Sequence, residues 1–143
     1  MGSKISKKNI YINKLSSTSS LKFPNKSFFF VKIKKFLLET KKNYEEKYLI
    51  KVNTLDNIFK NYDLTCSLLK IDVEGSEFDV LKGGQIKIQN QIQFVLVEKQ
   101  FFRQYKESSN KKVHNFLIQK KFKLYKKFTH PGLHFQDNLY VKK

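Results

Sequence analysis

Residues 68–84 read Leu-Leu-Lys-Ile-Asp-Val-Glu-Gly-Ser-Glu-Phe-Asp-Val-Leu-Lys-Gly-Gly, and no other stretch restricts the fold as tightly. The apolar positions Leu68, Leu69, Ile71 and Val73 make a short strand of the kind buried in a sheet, but Lys70, Asp72 and Glu74 interrupt it. Side chains alternate along a strand, so these three charges share one face. A strand covered on both faces reads as a nearly continuous apolar run. Charge that accumulates toward its C-terminal end therefore marks a site. Gly75 then turns the chain, and Ser76 is placed to cap a helix with Asp79 three residues on as a capping-box variant. Gly83 and Gly84 read as a left-handed helix stop.

Alternating periods continue on both sides of this stretch. Residues 10–13 and 48–52 read as strands, with a serine-rich loop at residues 16–20 between them. Phe29, Ile33, Phe36 and Leu37 recur at helical spacing and place a helix within residues 28–40. Thr54 caps a short helix running to about Asn61. Residues 92–98 form a second buried strand, and a helix starting at Ser108 or Ser109 carries Val113, Phe116 and Leu117 on one face. Residues 122–128 and 138–141 close the chain as an antiparallel pair joined across His130, Pro131 and Gly132. Strand, helix, strand, helix, strand predicts an α/β fold, its sheet mostly parallel with an antiparallel C-terminal strand. The 143 residues make a single domain, with residues 47–143 as its α/β region and residues 1–46 as a weakly determined N-terminal segment.

Lysine and arginine number 29 against 12 acidic residues, a formal charge of +17 that raises the question of a nucleic-acid partner. Only Arg103 is an arginine, and the chain lacks Ala and Trp. Such a mixture is what AT-rich coding produces, whereas phosphate and base recognition favours the planar arginine fork. Composition thus argues against nucleic acid as the partner. Cys66 stands alone, which rules out an intrachain disulfide and points to a reducing compartment; its place before an apolar strand suggests a small core residue. No run approaches the ~18 apolar residues of a membrane span, and the N-terminus has no apolar signal stretch. A cytoplasmic protein without a transmembrane segment is expected.

Three segments together resemble the FkbM-type S-adenosylmethionine-dependent methyltransferases: Thr54-Leu55-Asp56; the run from Lys70 to Gly75 with Glu77; and Val80-Leu81-Lys82-Gly83. The strand ending at Glu98 and the closing residues Asn138 to Val141 extend the resemblance over about residues 54–141. The resemblance implies a Rossmann-like methyltransferase sheet, S-adenosylmethionine as cofactor, and methyl transfer to an oxygen of a small-molecule, sugar or lipid-linked acceptor. Such enzymes hold the cofactor on a glycine-rich turn after the first strand, where backbone must approach the ligand. Here no glycine lies between Gly2 and Gly75. The chain is accordingly read as the C-terminal part of such a domain, with weak cofactor binding and an open sheet edge that favours self-association.

Ligands of open α/β sheets sit beyond the carboxyl ends of the strands. Asp72 and Glu74 hold that place for one strand and Glu98 for the next. All three are candidate catalytic residues, Asp72 as base, orienting acceptor or metal ligand, Glu74 and Glu98 as walls of the acceptor pocket. The competing reading pairs Asp72 with Lys70 and gives Glu74 to a turn. Glu77 and Tyr105 are candidate substrate contacts, although an acid in a helix's first turn also suits the helix dipole and an isolated tyrosine also packs. Asp56 fits capping or turn formation better than a site. His114 reads as packing or surface, and His130 with His134 lacks a third ligand, so no metal is assigned. Two further function classes stay open: a basic nucleic-acid-binding module, and an interaction domain that completes a methyltransferase fold with another chain.

Overall fold

A computed structural model describes residues 1–12, 46–73, 75–100, 110–129 and 135–143. The serine-rich loop at 16–20 and the helix expected within 28–40 lie outside the described residues, as do Glu74, Arg103, Tyr105, Ser108, Ser109, His130 and His134.

Strands β1 (Ser6–Ile12) and β2 (Glu46–Val52) pair antiparallel as a two-stranded sheet. Helix α1 (Leu55–Ile58) starts where expected: the Thr54 hydroxyl accepts the Asn57 N–H at 3.2 Å, satisfying one of the donors that a helix start leaves unpaired. It ends a turn earlier than Asn61. There follow β3 (Leu68–Ile71), α2 (Glu77–Gly83), α3 (Gln85–Asn90), β4 (Phe94–Gln100), α4 (Asn110–Gln119), β5 (Phe122–Thr129) and β6 (Phe135–Lys142). The second sheet has strand order β3-β4-β6-β5. β3 and β4 pair parallel, and β6 pairs antiparallel with both β4 and β5. It follows that β3, β4 and β5 run in one direction while β6 is inserted against them. The expected sheet, mostly parallel in direction with an opposed last strand, is present; sequence alone did not show that β6 lies between β4 and β5.

One face of this sheet carries the core. Ile71, Val95, Val97, Tyr140 and Phe122 from the strands meet Leu55, Val80, Leu81, Ile88, Val113 and Leu117 from the helices, all of them buried. Phe78 of α2 and Phe116 of α4 meet edge to face at 6.1 Å, which ties the two covering helices together. On the opposite face Leu68, Phe94 and Phe128 are exposed.

Three local expectations are corrected. Gly83 and Gly84 do not form a left-handed stop: Gly84 has φ −118°, and the chain passes directly into α3. Both positions need glycine for close approach instead. A Cβ at Gly83 would overlap the Gly2 carbonyl, and one at Gly84 would sit 3.0 Å from Leu55. Ser76 takes the N-cap position of α2, but with φ −105° and ψ 16° its hydroxyl makes no cap bond, and the capping box is not formed. Cys66 is exposed rather than in the core, because it occupies a turn with φ 61°.

Asp56 has the capping role preferred for it. Its carboxylate accepts the N–H groups of Ile86 and Lys87, at 3.1 and 2.9 Å, so α1 caps the start of α3. Lys87 is buried yet satisfied: its ammonium donates to the Tyr62 carbonyl at 2.6 Å and to Gln91 at 2.9 Å.

Among the described residues β3 pairs only with β4, and Leu68 is 57% exposed. An unpaired strand edge offers a template to another chain. We therefore expect sedimentation of the purified chain at roughly tens of micromolar, where exposed edges associate, to show concentration-dependent self-association. A stable monomer there would argue against it, and protected amides at residues 68–71 would then mean that the edge is covered.

Candidate functional site

The site is built where β3 and β4 end. Parallel pairing brings their C-terminal ends to one rim of the sheet, with Ile71 opposite Val97. One residue farther along each strand stand Asp72 and Glu98, and Glu98 in turn is opposite Asp137 of β6. Asp72 is exposed, and its carboxylate lies 3.8 Å from the Lys70 ammonium. An exposed pair of this kind is worth about 0–1 kcal/mol, too little to explain why a carboxylate sits there. Glu98 and Asp137 both have partners. Among the described residues no three His, Cys, Asp or Glu side chains converge as a metal site.

The turn after β3 is held from below by Glu77. Gly75 has φ 92°, a left-handed conformation that strains any residue with a Cβ, and its N–H donates to the buried Glu77 carboxylate at 2.7 Å. Ser76 N–H donates to the Val73 carbonyl at 3.3 Å, closing the turn. Glu77 thus orders the backbone beside Asp72 from within the protein. Of the five candidate site residues, Asp72 and Glu98 come to the same rim, Glu77 lies beneath it, and Glu74 and Tyr105 lie outside the described residues.

A row of polar side chains escaped the sequence reading. Gln136, Asn138 and Tyr140 of β6 all point to the helix-covered face and are buried. The Tyr140 hydroxyl is 3.0 Å from Nδ1 of His114 on α4, and burial raises its pKa above the ordinary tyrosine value. Gln136 donates to the Thr129 hydroxyl at 3.0 Å. Between them the Asn138 carbonyl oxygen has no hydrogen-bond partner among the described residues, and neither does the Ser76 hydroxyl, 2% exposed. Simple alternation would turn Phe135, Leu139 and Val141 inward and these polar residues outward. Only the central position of β6 reverses that reading, because a strand between two neighbours can be covered on both faces.

A model of the FkbM methyltransferase domain matches residues 3–124. The chain belongs to the FkbM methyltransferase family. Nothing among curated proteins or solved structures matches it. No described helix is long and apolar enough to cross a membrane.

The family's methyl donor requires backbone that can approach a ligand closely. Here Gly2, Gly83 and Gly84 are each packed against the protein's own atoms: Val52 against Gly2, the Gly2 carbonyl against Gly83, Leu55 against Gly84. The glycines at these positions serve internal packing, and the described residues do not assemble a cradle for S-adenosylmethionine.

Proposed function

We propose that this FkbM-family chain supplies the acceptor side of an S-adenosylmethionine-dependent methyltransferase acting on a hydroxyl oxygen of a small-molecule, sugar or lipid-linked acceptor. The observation that carries the reading is the exposed Asp72 carboxylate at the C-terminal end of β3, level with Glu98 on the parallel neighbour. A hydroxyl loses its proton when its oxygen is methylated. A carboxylate at this rim is suited to orient the hydroxyl and take that proton, while Glu77 keeps the adjoining turn in place. The cofactor-binding half is supplied by another chain or segment, a role that the unpaired edge of β3 suits.

Calorimetry on the chain by itself is expected to show S-adenosylmethionine binding weaker than about 1 mM, or less than ~4 kcal/mol of affinity. Adding the glycine-rich N-terminal half of an FkbM-family domain in trans should then produce methyl transfer from labelled cofactor. Micromolar binding by the single chain would show that the cofactor site has been misplaced. Transfer that fails to appear in any complemented mixture would remove the enzymatic reading.

A further inference from the structure

From residue 108 to the C-terminus the chain carries nine lysines and one acidic residue, Asp137, a local imbalance far denser than in the rest of the sequence. The fold gathers many of these lysines at one place. β5 is the outer strand of the sheet opposite β3, and Lys121, Lys123, Lys126 and Lys127 in and beside it are exposed. The backbone N–H of Lys143 donates to the Lys121 carbonyl at 2.9 Å, which brings the C-terminal lysine alongside. The Lys142 pKa is lowered by burial and by the charge of Lys121, as expected where cations crowd.

Lysines on an edge strand have an ordinary use, since they keep other strands from pairing there. Two features go beyond it. The pairing of β5 with β6 shifts register between Leu124 and Lys126, so Tyr125 is the extra residue of a β-bulge, and its ring stands 67% exposed in the middle of the lysines. Bulges re-aim side chains, and an edge that served only to repel would gain nothing from presenting an aromatic ring. Phe128 is also 40% exposed, with the Lys126 ammonium 5.1 Å from its ring centre. Because Lys126 is in register with Leu139 and Lys127 with Asn138, the lysines leave the strand on both faces and flank the rings.

We propose that the β5 edge is a binding surface for single-stranded nucleic acid, with lysines following the phosphates and Tyr125 and Phe128 stacking on bases. Exposed aromatic rings between cations are what sequence-tolerant single-strand binding requires. The lack of arginine counts against base-specific reading in a duplex groove, which depends on bidentate forks. It does not count against stacking. A second copy of the chain is a poor occupant, since two surfaces of the same strong charge repel.

Fluorescence anisotropy of a labelled oligothymidine of about 16 nucleotides, titrated with the full chain, tests the proposal. Binding should weaken with salt at a logarithmic slope of roughly −3, the value for about four phosphates on a single strand. Tyr125→Ala should weaken binding roughly tenfold without changing that slope, because it removes a stacked base and no charge. Lys126→Gln combined with Lys127→Gln should flatten the slope by roughly 1. Lys4→Gln combined with Lys51→Gln removes two exposed charges near the hairpin and should leave binding within about twofold. The proposal is overturned if oligothymidine does not bind, if the hairpin variant loses as much as the β5 variant, or if Tyr125→Ala has no effect. It is overturned equally if phosphatidylserine vesicles bind through Tyr125 while oligothymidine does not.

Discussion

Asp72→Asn is expected to lower methyl transfer by about 10²- to 10⁴-fold in the complemented enzyme, the usual loss when one acid-base group is removed. The substitution keeps the shape of the side chain and removes its charge. Folding should barely respond, with unfolding free energy within about 0.5 kcal/mol of the parent, the normal range for an exposed position. The one printed partner of Asp72 is Lys70, an exposed contact at 3.8 Å. Parallel measurement of turnover and urea unfolding separates the two roles. If turnover is unchanged, Asp72 is a surface partner of Lys70 and the chemistry lies elsewhere on the rim, with Glu98 the next residue to test.

Gly83→Ala should destabilise the fold by about 1–3 kcal/mol, the typical range for forcing extra volume into a packed site. The new methyl would meet the Gly2 carbonyl, and Thr54 Cβ lies only 3.3 Å from the same position. Backbone cannot turn aside as a side chain does. The N-terminal segment must therefore move off α2, which removes the Gly2 N–H bond to the Asn53 carbonyl at 2.9 Å. The gain in helix propensity from replacing glycine, at most about 1 kcal/mol, works in the opposite direction and does not cancel the overlap. A lower urea midpoint together with faster amide exchange at Gly2 is the expected pair of results. Unchanged exchange at Gly2 would show that α2 shifts instead. Gly84→Ala is the natural comparison, since its new methyl would meet mainly the Leu55 and Ile88 side chains, which can adjust.

Sequence by itself determined the elements and the location of the site. The apolar runs around Leu69 and Val95, the helical spacing of Val113 and Leu117, and the Thr54 cap all appear as read, because period and capping are local properties of the chain. Charges ending an apolar strand identified Asp72 and Glu98 for the same reason: ionised groups are costly in a sheet interior and collect at its rim. Tertiary structure decided what depends on neighbours distant in sequence. The double glycine is explained by the approach of Gly2 and Leu55, and no local rule distinguishes that from a helix stop. Asn138 and Gln136 point inward because β6 is inserted between β4 and β5, a placement that strand alternation does not encode. Tyr125 points outward because β5 slips by one residue against its partner. In each case the deciding contact joins segments remote along the chain. Only the folded protein brings them within reach.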